Sequence, residues 1–301
     1  MKKLIKKPSF FQIVFQSIRV SLFHNIKESV AIPEKIGAYK LKKVLKKQGN
    51  LANFHIGIYE KNGKKYFGKI WSKKEKDLSY FTLLNEYRVC LFLYKKLKRI
   101  NCTLRVPQPV YIHETNNMLG VMFEYLTYPD ISHLPPSKQA EIFKTVLHDL
   151  RTVSNSLTKE ERQMFAKRSV IFYLISLPFH MLLSLKTRPK FFKYIFKAFI
   201  KLVVSIRTNN EFVLSHRDLR APNVKLGKRF IYLLDSEDMT LTMNGYDLAD
   251  VNILLGNQSK TKKVKIAMEN KNQDFFANYI SIQRSSNLLQ DNRYINYLLN
   301  I

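Results

Sequence analysis

The 301-residue sequence predicts an α+β chain, with a small antiparallel sheet first and a mainly helical region after it. Three observations carry this. Short runs of strand-like alternation fall at residues 38–72 and return at 110–124. Apolar residues recur at helical spacing between them, over 78–99. Beyond Tyr128 the pattern is mostly helical. With 46% hydrophobic and 25% charged residues, the chain can bury a core, and its length fits one large or two-lobed domain.

Residues 1–37 read as a leading amphipathic helical segment, ended by Pro33 and Gly37. Residues 38–126 form the sheet-bearing part. Tyr39–Leu45, Phe54–Tyr59 and Lys65–Trp71 alternate as strands, and Asn62-Gly63 is a hairpin turn between the last two. Leu83, Leu84, Tyr87, Leu91 and Tyr94 then line one helix face. Two more strands follow, Val110–His113 and Leu119–Glu124. Residues 127–301 are the helical part. Pro135-Pro136 opens a helix over 137–156, since proline suits a first turn. The run Ser169–Leu185 carries no charge for 17 residues. That is short of the roughly 18–20 needed to span a membrane, and Pro178 within it predicts two packed helices. Lys190, Lys193, Lys197 and Lys201 sit three, four and four apart among apolar residues, which predicts a basic amphipathic helix at 189–206. Residues 211–235 return to strand and loop, with a buried strand at 230–234, and 247–301 read as helices.

The charge is strongly positive: 51 Lys+Arg against 23 Asp+Glu, a formal net of +28. This disfavours a cationic substrate and favours nucleotide phosphates, anionic lipid headgroups or nucleic acid. The alternative is a set of solvated lysines spread along the chain. Cys90 and Cys102 have no neighbours at metal-ligand spacing, which argues against a structural zinc and fits a reducing cytoplasm. The basic stretch Met1–Lys7 is followed by an uncharged run that Arg19 breaks, without a small-residue cleavage site, so it is not read as a signal peptide.

The chemistry lies in Leu214-Ser-His-Arg-Asp218-Leu-Arg220-Ala-Pro-Asn223-Val224, followed by Ile231-Tyr-Leu-Leu-Asp235-Ser-Glu237. An Asp with an Asn five positions later puts a carboxylate and an amide oxygen on one tight loop. A second Asp after the next strand adds another oxygen ligand. Transfer of a phosphoryl group needs such a set: one carboxylate for the attacking hydroxyl and oxygens for a divalent cation.

The run His216–Asn223 resembles the catalytic loop of the protein-kinase-like superfamily. Pro222 before Asn223, and Asp235-x-Glu237 in place of Asp-Phe-Gly, resemble its small-molecule branch, the aminoglycoside and choline phosphotransferases. Some lipopolysaccharide kinases have a similar loop. Tyr246-Asp247-Leu248-Ala249-Asp250 and Val106-Pro-Gln-Pro-Val110 also look like this branch. The resemblance is local to 216–250, and element order extends it over 38–250. It implies a bilobal protein-kinase-like fold, with an N-lobe at 38–126 and a helical C-lobe at 127–301. The C-lobe would carry a catalytic loop at 214–224 and a metal-binding strand end at 231–237. It further implies Asp218 as catalytic base and Asn223 and Asp235 as ligands of Mg2+; Arg220, by its position two after Asp218, would meet the γ-phosphate. Lys69, oriented by Glu86, would hold the α- and β-phosphates of ATP. Residues 121–126 would be the adenine hinge, with Glu124 and Leu126 at the nucleotide. A solvated strand lysine is the alternative for Lys69, and a surface acid for Glu86. His216 reads as orienting the loop rather than as a base, and Glu237 stays open between metal-facing carboxylate and loop acid.

There are departures. The loop Lys47–Asn53 has one glycine, Gly49, and lacks the glycine-rich pattern of protein kinases. Arg217 is the protein-kinase residue, yet no Ala-Pro-Glu follows Asp235, which weighs against a protein substrate. The resemblance places the acceptor near 151–210. Carboxylates are scarce there, with Glu160 and Glu161 and then none until Glu211. This favours an anionic acceptor, a small molecule or a glycolipid such as a lipid-linked sugar, over aminoglycosides or choline. The lysine-faced helix and the Phe-rich residues 9–23 would then lie on an anionic membrane, placing a cytoplasmic protein peripherally on its inner face; the alternative is that both helices pack in the protein with solvated lysines. Competing readings are an inactive pseudokinase, a protein kinase and a basic nucleic-acid-binding protein. The first would have lost one of the key groups, and no nucleic-acid motif supports the last.

Overall fold

A computed structural model describes residues 32–46, 54–72, 78–206, 211–256, 265–268, 270, 272–285 and 293–299. Most of the leading segment 1–37 and the whole of the loop Lys47–Asn53 lie outside the described residues. The chain divides into two compact units: one reaches Lys96 and takes in Val106–Thr127, and the other holds Leu97–Arg105 and everything from Tyr128.

Among the described residues, the first unit is a six-stranded antiparallel sheet with one helix. The strands are β1 (Lys35–Ile36), β2 (Tyr39–Lys46), β3 (His55–Lys61), β4 (Lys64–Ser72), β6 (Pro109–Thr115) and β7 (Met118–Glu124), in the order β1-β2-β3-β4-β7-β6. The helix is α1 (Leu78–Leu97). The predicted sequence of three strands, a helix and two strands is observed. Lys35 and Ile36 are a correction: they pair with Lys40 and Tyr39, so the leading segment ends in a strand. The Asn62-Gly63 turn forms as predicted, with Lys61 opposite Lys64 and φ of 51° and 73°. Positive φ at both central residues matches the twist of a hairpin. Gly68 is needed for packing: a Cβ there would lie 2.6 Å from the Tyr59 ring, which is fully buried across the sheet.

The second unit is mainly helical. Its helices are α2 (Pro136–Asn155), the short α3 (Lys159–Arg162), α4 (Val170–Thr187), α5 (Phe192–Val204), α6 (Tyr246–Gly256), α7 (Gln273–Ser285) and α8 (Arg293–Leu299). Two small sheets, β10-β11-β5 and β8-β12-β9, hold the loops between them. Here β5 is Leu104–Arg105, β8 Lys167–Arg168, β9 Phe212–Ser215, β10 Val224–Leu226, β11 Ile231–Leu233 and β12 Thr240–Met243. The core is aromatic. Tyr173 packs edge-on against Phe275, Phe276 and Tyr279 at 6.3, 5.1 and 4.8 Å. Asp149 of α2 ties β5 down, accepting from the backbone N–H of Thr103 and Leu104 and from the Thr103 hydroxyl.

Pro178 does not divide its segment into two helices. It sits inside the single helix α4. Its side is exposed, so the carbonyl that loses its partner can turn to water, and the cost of an interior proline falls. Among the described residues, α4 is also the one helix long and apolar enough to cross a membrane.

Candidate functional site

In the first unit, Lys69 lies on β4 opposite Ile56 and Val121, so neighbouring strands wall it in. It is 6% exposed, and Glu86 of α1 is 2% exposed. The ammonium donates to both carboxylate oxygens, at 2.9 and 2.8 Å. The Phe54 ring lies 5.7 Å from the same nitrogen. Lys69 is therefore not a solvated strand lysine and Glu86 not a surface acid. A buried pair of this kind is costly to break, because the remaining charge stays desolvated. Glu86→Gln should lower unfolding free energy by about 3–5 kcal/mol, and adding Lys69→Met should recover much of it. Urea denaturation of the three proteins measures this; equal midpoints for Glu86→Gln and wild type would mean the pair is solvated.

The predicted hinge is the end of β7. The Glu124 N–H donates to the Gln108 carbonyl at 2.8 Å. Its side chain is exposed, whereas Leu126 is buried at 8%.

In the second unit, β9 delivers the loop at 216–223. Asp247, at the start of α6, accepts from the backbone N–H of His216 at 2.7 Å and of Arg217 at 2.8 Å. The His216 Nε2 donates to the Leu234 carbonyl at 2.7 Å, fastening the loop to the residue before Asp235. Among the described residues three non-glycines have positive φ: Asn62 in the hairpin turn, Arg217 at 66° and Asp235 at 60°. Left-handed backbone at such residues costs about 1–3 kcal/mol and persists where surrounding bonds enforce it. Both sites of strain outside the hairpin fall on the segments the sequence singles out.

Asp218 stands at the centre of a charge network. Its Oδ1 meets the Arg220 guanidinium at 2.6 Å and that of Arg284 at 3.2 Å. The Asn223 amide donates to the Asp218 carbonyl at 2.9 Å and to Oδ2 at 3.1 Å. Oδ2 keeps lone-pair capacity for a hydroxyl donor. Arg284 also donates to the Arg217 carbonyl at 3.0 Å and lies 3.8 Å from the buried Asp250. Tyr294 donates to Asp250 at 2.7 Å. Burial pushes the Asp250 carboxyl up, and the Arg284 guanidinium and Tyr294 hydroxyl oppose that rise. Asp218 is thus held through Arg284 to the centre of the helical core.

Sequence reasoning missed Arg284 and Asp250 as members of this network. The available signal was faint: Arg284 is the one Lys or Arg in α7, whose other residues mostly face the core.

The second unit's loop residues fit a hard divalent cation. The Asn223 nitrogen is committed to Asp218, so its oxygen would be the atom left to coordinate, and Asp235 would offer a carboxylate oxygen.

No family model matches the sequence, and no curated protein matches it. Solved structures do. A microcompartment-associated aminopropanol kinase is 12% identical, with 87% of this chain and 88% of that one covered and a TM-score of 0.58. The fold is protein-kinase-like. A spectinomycin phosphotransferase, solved with ADP and spectinomycin, is 14% identical over 87% of this chain and 89% of its own, with a TM-score of 0.55. Choline kinase from Cryptosporidium parvum Iowa II is 13% identical over 95% and 94%, at 0.52. Identities this low establish the kinase-like fold and leave the reaction to be argued from the site.

Proposed function

We propose that the protein is an ATP-dependent phosphotransferase that moves the γ-phosphate to a hydroxyl of a small molecule. The observation that carries this reading is the Asp218 carboxylate, anchored by Arg284 and sharing its loop with Asn223. Asp218 orients the acceptor hydroxyl and takes its proton as the new O–P bond forms and the bond to ADP breaks. Lys69, fixed by Glu86, neutralises charge on the donor phosphates. Arg220, which pairs with Asp218 at 2.6 Å, is our candidate for serving the transferred group. Bound Mg2+, with Asn223 and Asp235 as its ligands, would supply charge neutralisation on the β- and γ-phosphates. Glu124 and Leu126 are our candidates for the adenine contact. With ATP as donor, we place the reaction in the cytoplasm.

For the acceptor we favour an anionic or uncharged molecule, with a lipid-linked sugar as the specific candidate. Choline and aminopropanol are cations that call for carboxylates, and residues 162–210 contain none. The test is ADP release with choline, aminopropanol, an aminoglycoside, sugar phosphates and a lipid-linked sugar side by side. Turnover with the last two groups is expected. Equal or faster turnover with the cations would overturn the acceptor reading.

A further inference from the structure

Helices α4 and α5 are joined through the short turn Pro189–Phe191, touch each other and both pack on α7. Their inward faces are narrow. On α4, Tyr173, Leu177 and Ser184 are buried, and Ser184 donates to the Ile282 carbonyl at 2.8 Å. On α5 the buried residues are Ile195, Ala198 and Leu202.

The outward faces are just as apolar. Ile171, Ile175, Phe179 and Leu182 stand exposed at steps of four, four and three, one line along α4. Phe192, Phe196, Ile200 and Val203 repeat those steps on α5. Leu182 is 65% exposed and Phe192 54%. Only 17% of α4 is buried, although its composition suits a membrane span. A helix apolar all round is ordinarily enclosed, and apolar rows left on a surface mark an interaction site.

Charge indicates the occupant. Residues 162–210 contain no Asp or Glu, and Lys186, Lys190, Lys193 and Lys197 are exposed. At about 100° per residue, Lys193 and Lys197 form a strip beside the Phe192-Phe196-Ile200 row, on the side away from the buried face. A second copy docked symmetrically would set these lysines against themselves. An anionic bilayer surface accepts both features, apolar rows at the acyl boundary and ammonium groups at the phosphates. Helix α4 does not span in this state, since its inner face is hydrogen-bonded to α7.

We infer that the outward faces of α4 and α5 form one docking surface by which the protein lies on a membrane rich in anionic headgroups. This does not rest on the phosphotransfer reading. The full chain is sedimented with phosphatidylcholine vesicles and with vesicles containing phosphatidylglycerol, at low and at physiological salt. The wild type should sediment with the anionic vesicles alone, less so as salt rises. Ile175→Ser with Phe196→Ser should weaken binding about a hundredfold. Lys193→Gln with Lys197→Gln should weaken it about fivefold per lysine. All variants should melt with the wild type, because the altered side chains are exposed. Wild type left in the supernatant with anionic vesicles would overturn the inference. So would an apolar variant that binds as tightly as wild type, which would place the contact elsewhere, residues 9–23 included. A wild-type dimer that Phe196→Ser dissociates, without vesicle binding, would make the second copy the occupant and also overturn it.

Discussion

Replacing Asp218 by Asn should lower turnover by about 10²–10⁴-fold, the usual contribution of a positioned general base, while ATP binding survives. The substitution keeps the shape of the side chain and removes its charge and its basic oxygen. The surroundings should hold, because Arg284 retains the Arg217 carbonyl and Asp250, and the loop backbone remains pinned by Asp247. Steady-state kinetics with a working acceptor, beside ATP titration by thermal shift, separates the two effects. Full activity in Asp218→Asn would remove the loop from the mechanism. Arg220→Ala belongs in the same series. If Arg220 serves the transferred phosphoryl group, kcat should fall; weaker binding with kcat unchanged would assign it to ground-state contact alone.

Asp235→Asn should abolish the magnesium-dependent part of ATP stabilisation. Ligand at about a hundred times its Kd stabilises a protein by about 2.7 kcal/mol, a readily measured rise in Tm. The wild type should show it with ATP and magnesium together, and lose most of it when magnesium is withdrawn. The mutant should behave as wild type without the metal, since an amide is a weaker partner for a hard cation than a carboxylate. Replacement should leave the fold intact, and relief of left-handed strain is not expected, as Asn tolerates that conformation about as well as Asp. Magnesium-dependent stabilisation retained in the mutant would move the ligand role to another residue. No stabilisation in the wild type would favour the pseudokinase reading.

Much of this was legible in local patterns. Alternation and the Asn62-Gly63 turn specify the β3–β4 hairpin, because side-chain period and turn chemistry are properties of adjacent residues. The spacing of Asp218 and Asn223 puts both on one tight loop for the same reason, and there the Asn223 amide meets the Asp218 carboxylate. Pro178 misled, because whether a proline breaks a helix depends on where its orphaned carbonyl points, and the packing of the other face decides that. Two-residue strands such as β5 and β8 carry too little pattern to be read and exist only through their partners.

The sequence alone determined the α+β order, the hairpin register and the grouping of Asp218 with Asn223, since each is written in residues near one another in the chain. Only the tertiary structure decided three things. It showed that Lys69 and Glu86, 17 positions apart, are one buried ion pair. It set Arg284 against Asp218 across 66 positions and brought the same guanidinium within 3.8 Å of Asp250. It turned one apolar row of α4 and one of α5 to the outside. Burial and long-range charge pairing depend on which surfaces meet when the chain closes, and local residue periodicity does not carry that information.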